Sequence, residues 1–123
     1  IELAVPAECK VNFDRGHFDQ VLWNLCQNAL RYSQNKAGSV KLCVTCLDEG
    51  EVALDVMDDG PGIDAETAQK LFEPFFTTDA GGTGLGLYIA RELCEANGAI
   101  LEYRPAPEGG ACFRIVFGVN NES

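Results

Sequence analysis

An acidic residue closes an apolar alternation at Asp58. Val52, Leu54 and Val56 share one face of an expected strand, and Asp58-Asp59-Gly60-Pro61-Gly62 follows. A carboxylate at the end of such a row faces into a pocket or caps the sheet edge. It can accept a hydrogen bond from an exocyclic ring amine, and it would reject a ring with a carbonyl at that point. Gly60 and Gly62 let the chain turn sharply and approach a flat ring. Taken alone, the segment also fits a plain strand-ending turn, where Asp and Gly are common.

A second segment reads Asn24-Leu25-Cys26-Gln27-Asn28-Ala29-Leu30-Arg31-Tyr32. Asn24, Asn28 and Arg31 stand at i, i+4 and i+7, along one helical ridge. A neutral amide oxygen at Asn28 can ligate Mg²⁺, which takes few protein ligands and keeps its waters. Arg31, one turn on, suits a phosphate oxygen. A solvated helix face is the plainer alternative. The third segment, Gly81-Gly82-Thr83-Gly84-Leu85-Gly86-Leu87, opens a helix. Free N–H groups and the helix dipole make such a start suitable for phosphates. No Lys-Ser or Lys-Thr follows the glycines, so it is not a P-loop, and its spacing is not that of a dinucleotide fingerprint. The fourth, Leu71-Phe72-Glu73-Pro74-Phe75-Phe76, is core or an anchor beside the glycine loop.

The elements that position these segments follow from periodicity. Residues 1–6 and 10–13 read as short edge strands. Asp14 is placed to cap a helix in which Phe18, Val21, Leu22, Leu25, Cys26, Ala29 and Leu30 form an apolar face, ending near Ser33. Residues 40–48 and 51–58 alternate as a hairpin. A short helix runs from Asp64 to about Leu71, with Pro74 as its stop. A loop over residues 77–83 leads to a helix over 85–97 with Gly98 as its C′ residue, and strands over 99–104 and 111–119 follow. The expected fold is a single α/β two-layer sandwich (α+β): a mixed, mostly antiparallel sheet of about five strands, with about three helices on one face.

The 123 residues make one domain, and 46% hydrophobic content supports a core. There is no initiator Met, and the opening residues read as a strand entered mid-protein, so the chain is expected to be part of a longer one. A net charge of −10 disfavours nucleic acid. It also requires that any bound polyphosphate be met by a metal ion, backbone amides and a few placed cations. Cys43 and Cys46 form a C-x-x-C, but residues three apart on a strand face opposite ways. With Cys9, Cys26, Cys94 and Cys112 they read as free thiols in a reducing compartment.

In order and spacing, the four segments together resemble the catalytic domain of sensor histidine kinases, within the gyrase and heat-shock chaperone ATPase superfamily. The matching runs are NLCQNALRY from Asn24, DDGPG from Asp58, LFEPFF from Leu71 and GTGLGL from Gly82, and FEPFFTT is most similar to nitrogen-regulation kinases. The resemblance implies the Bergerat ATP-binding fold, with ATP and Mg²⁺ as cofactors. It implies Asn28 as metal ligand, Asn28 and Arg31 as the groups nearest the chemistry, and Asp58 as the adenine reader with Gly60 and Gly62 shaping its pocket. Asn24, Tyr32, Ile63, Phe72, Gly82, Thr83, Gly84, Leu85, Gly86 and Leu87 complete the implied nucleotide contacts, and residues 77–83 would form a lid. The implied partner is a helical dimerisation domain carrying the acceptor histidine, with a response regulator reached indirectly, no membrane contact by this domain, and a cytoplasmic setting. Two departures stand out. Asp79 occupies a position where similar kinases commonly have Lys. His17, the single histidine, starts the Asn-bearing helix and reads as structural or exposed. A nucleotide-sensing module, or a serine kinase of the same fold, is the alternative.

Overall fold

The computed structural model describes residues 2–4, 13–32, 39–46, 51–76, 84–106 and 109–117. The elements run β1 (Glu2–Ala4), α1 (Arg15–Tyr32), β2 (Val40–Cys46), β3 (Val52–Asp58), α2 (Ala65–Ala68), α3 (Gly86–Ala96), β4 (Ile100–Pro105) and β5 (Ala111–Phe117). All five strands join one sheet in the order β1-β2-β3-β5-β4, antiparallel except at the parallel β1–β2 edge. This is the mixed, mostly antiparallel sandwich that the alternation and helical spacing lead one to expect.

Register decides which side chains meet the helices. Leu42, Val56 and Phe113 form one row, and Val44, Leu54 and Ile115 the next, with Leu101 beside Ile115. This face packs against Val21, Leu25 and Ala29 of α1 and against Ala90 and Cys94 of α3. Val21, Leu25 and Ala29 are four apart, which keeps them on one stripe of the helix. Phe113, Leu25, Ile115 and Val21 are among the largest fully buried side chains. Leu71 and Phe72, just after α2, pack against the same core.

The other face carries Cys43, Asp55, Arg114 and Glu102 in one row across four strands. Arg114 grips Asp55 bidentately, with Nε 2.8 Å from Oδ1 and Nη2 3.0 Å from Oδ2. No sequence signal marks this pair, because the two residues lie 59 positions apart. Cys112 leans on the same carboxylate at 3.5 Å. Burial first, and Asp55 second, push its thiol up to about 12. The C-x-x-C cysteines pair separately along β2, Cys43 with Asp55 and Cys46 with Val52. Among the described residues Cys26, Cys43, Cys94 and Cys112 are free thiols.

Asp14 caps α1 as expected, its Oδ1 accepting the His17 N–H at 2.9 Å. Asn97 Oδ1 accepts the Asp14 N–H, and Asn97 Nδ2 lies 3.0 Å from His17 Nδ1. His17 therefore ties the start of α1 to the end of α3, which is a structural role. Three elements differ from expectation. Phe13 lies outside any strand, and residues 10–12 are not among those described. The helix begun at Asp64 stops at Ala68, because bonds from Lys70 N to Thr67 O and Leu71 N to Ala68 O tighten the following turn. Leu85 is the N-cap of α3 rather than its first helical residue.

Gly98 ends α3 with φ 74°, its N–H bonded to Glu95 O and that of Ala99 to Cys94 O. This is the paired closure that favours glycine. Gly98→Ala is expected to lower stability by about 1–2 kcal/mol, the cost of a Cβ in the left-handed region. Gly98→Asn should cost less. Thermal unfolding of both variants checks the order, and an alanine variant as stable as wild type would contradict it.

Candidate functional site

Asp58 ends the helix-facing row of β3, opposite Val40, and is buried with 6% exposure. Its Oδ1 accepts two backbone N–H groups, from Gly60 at 2.8 Å and Ala111 at 3.3 Å. These two donors use one carboxylate oxygen and aim the other. The neighbouring Asp59 is braced from β2's entry, its N–H on Ser39 O at 3.1 Å and its Oδ2 accepting Ser39 Oγ at 2.8 Å. Gly62 takes φ 82°, which the turn requires. Ile63 packs against the core and its carbonyl accepts the Tyr103 hydroxyl at 3.3 Å.

Burial pushes the Asp58 carboxyl above its ordinary range; the Gly60 and Ala111 amides oppose this, and Asp59 adds to it. A raised native value means that the folded chain holds the proton more tightly than the unfolded one. Stability from this group is then present below the ordinary carboxylate value and is lost as pH rises through the raised value. Asp58→Asn removes that loss. The variant's melting temperature relative to wild type is expected to climb across this window and level off above it. Parallel melting curves from acid to neutral pH check the sign, and a difference that falls with pH would refute it.

Asn24, Asn28 and Arg31 do lie along one ridge of α1. Asn24 is engaged at both ends: Oδ1 accepts Gln20 Nε2 at 2.8 Å and Nδ2 donates to Gly86 O at 3.0 Å. It clamps α1 to the first residue of α3. Asn28 is half-buried, and among the described residues its amide makes no hydrogen bond. An amide oxygen so placed fits a hard divalent cation. Arg31 is exposed in the last turn of α1.

At the other end of the site, Gly84 takes φ 76° and its carbonyl accepts the Phe75 N–H at 2.8 Å. A Cβ on Gly84 would run into the Phe75 backbone. Phe75 itself sits at φ 67° and is 74% exposed. Leu85 and Gly86 then open α3, whose first amides have no partners within the helix. Leu87 turns to the core. Phe72 meets Phe113 edge-to-face at 6.2 Å and lies 5.4 Å beneath the Arg91 guanidinium. Gly82, Thr83, the Tyr32 side chain and the expected lid, including Asp79, lie outside the described residues. Ser39, Gly110 and Ala111 were not legible as site residues, because only strand pairing brings Ser39 to Asp59 and the latter two to Asp58. No described helix is long and apolar enough to cross a membrane.

A buried carboxylate at the end of the central strand, an amide-bearing ridge and a glycine-opened helix stand on one scaffold. The chain belongs to the histidine kinase-, DNA gyrase B- and HSP90-like ATPase family, whose model matches residues 13–121. Within that family it is similar to sensor histidine kinases. It is 48% identical over 113 residues to the sensor protein kinase PilS of Pseudomonas aeruginosa, and 36% identical over 119 residues to the sensor histidine kinase ZraS of Klebsiella oxytoca. These matches cover 89% and 97% of this chain but only 21% and 26% of those proteins, so the chain spans about a quarter of their length or less. The structure superposes on the catalytic domain of histidine kinase ThkA with TM-score 0.80 at 32% identity, covering 94% of this chain and 75% of that one. It also matches full-length ShkA in complex with AMPPNP, with TM-score 0.76 at 32% identity, covering 94% of this chain and 25% of that one.

Proposed function

We propose that this domain binds Mg·ATP and donates the γ-phosphoryl group to a histidine on a separate helical dimerisation domain. The observation that carries the reading is Asp58, buried at the end of the core row with Oδ1 held by two amides. Its second oxygen suits the adenine amine and opposes the guanine carbonyl. Asn28 would hold Mg²⁺, which neutralises phosphate charge when bound. Arg31 and the open amides of α3 supply the remaining positive ends on a chain of net charge −10. Donor-side catalysis of phosphoryl transfer is mostly positioning and charge stabilisation. The attacking imidazole belongs to the partner domain, since His17 is bound to Asn97 inside the fold.

The family resemblance of the AMPPNP-bound ShkA structure and of the sensor kinases supports this reading. Calorimetric titration with a non-hydrolysable ATP analogue and its GTP counterpart, with and without Mg²⁺, tests the binding half. A matched acceptor hairpin supplied in trans with labelled ATP tests the transfer half. ATP binding without any acid-labile phosphohistidine would leave a nucleotide-sensing module instead.

A further inference from the structure

The β4–β5 turn lies outside all four chemistry-bearing segments, yet it touches Asp58 twice. Ala111 begins β5 and would face Asp58 across the β3–β5 ladder, whose last regular pair is Met57–Cys112. At that point its N–H turns to the carboxylate Oδ1, at 3.3 Å. Gly110, with φ 86°, is buried directly against the Asp58 backbone. A Cβ there would run into the Asp58 carbonyl oxygen, and would lie 2.8 Å from its carbon and 3.2 Å from Oδ1. The Gly110 carbonyl meanwhile accepts the Ala106 N–H at 3.2 Å and lies 3.4 Å from where a Gly62 Cβ would be. One glycine thus fits between Asp58 and the glycine turn that follows it.

We infer that Gly110 and Ala111 are positioning residues for purine selectivity: they set the aim of the Asp58 carboxylate from a hairpin in which Ala111 lies 53 positions downstream in the chain. This rests on the reading of Asp58 as the base-recognising group. A side chain at 110 must displace Asp58 or drive the turn away from it, and a displaced acceptor loses its advantage for an amine over a carbonyl.

Gly109 supplies an internal control. It also has a left-handed φ, 96°, but a Cβ there meets nothing within 4 Å. Gly109→Ala strains the same turn without touching Asp58. The test is titration of the 123-residue chain with Mg·ATP and Mg·GTP. Gly109→Ala should keep the wild-type ATP-to-GTP affinity ratio within about threefold, whereas Gly110→Ala should lose about tenfold or more of it, the scale of one good hydrogen bond to a charged group. A folded Gly110→Ala protein with the wild-type ratio, alongside an Asp58→Asn protein that loses it, overturns the inference and leaves the base-reading role standing. A wild-type chain without any ATP preference overturns both.

Should Gly110→Ala not fold, amide hydrogen exchange gives the second reading. In Asp58→Ala, exchange at Ala111 should accelerate about tenfold or more together with Gly60, while the rest of β5 keeps its protection. Unchanged protection at Ala111 would overturn the inference.

Discussion

Asn28→Ala is expected to reduce phosphoryl transfer to an acceptor hairpin by roughly 10²–10³-fold, the usual loss when one preorganised electrostatic contact to a reacting group is removed. Asn28 is the ridge amide left without an intramolecular hydrogen bond among the described residues, whereas Asn24, one turn earlier, is bonded at both ends. The effect should therefore fall on position 28 through chemistry and on position 24 through structure. On the proposed reading, adenine selectivity rests on Asp58, which lies on β3 and is held by Gly60 and Ala111, so it should persist in Asn28→Ala. Asn28→Asp would keep an oxygen for the cation but bring a charge toward phosphates, and should also lose transfer. Initial rates across a Mg²⁺ series check both variants. A wild-type rate and Mg²⁺ dependence in Asn28→Ala would remove the metal role.

The second large effect concerns stability. Arg114→Ala leaves the Asp55 carboxylate, buried at 7% exposure, without its bidentate partner. Breaking one side of a mostly buried pair costs more than the pair contributes, because the remaining charge keeps its desolvation penalty. The expected loss is about 2–4 kcal/mol, which for a domain of this size lowers the melting temperature by roughly 10 °C. Replacing both residues by a matched apolar pair should recover much of that loss. Thermal unfolding of the two single variants and the double variant provides the cycle. Strictly additive losses would mean that the two side chains do not support each other. The change should leave nucleotide selectivity intact, since the pair occupies the sheet face opposite Asp58.

The contrast between these residues shows what could be read along the chain. Asp58 was legible because period-two alternation through Val52, Leu54 and Val56 carries forward to the residue that ends the row. The ridge of Asn24, Asn28 and Arg31 was legible from helical spacing alone. Which asparagine is engaged was not, because nothing local says that the Gly86 carbonyl, 62 positions on, comes within 3.0 Å of Asn24. The Asp55–Arg114 pair and the approach of Gly110 to Asp58 depend on β5 inserting between β3 and β4. Hairpins are local, but that insertion is set by packing of the whole sheet. The short helix after Asp64 ended early although its cap is strong, because the bonds from Lys70 to Thr67 and from Leu71 to Ala68 tighten the turn that follows.

The clamp at Asn24 has a further result for ligand size. One side-chain amide fastens α1, which carries Asn28, to the first peptide of α3. The distance between Asn28 and the start of α3 is then set by the fold itself. On the proposed reading, a diphosphate and a triphosphate would meet the same span, so a preference by length would come from the scaffold and persist through changes at Asp58.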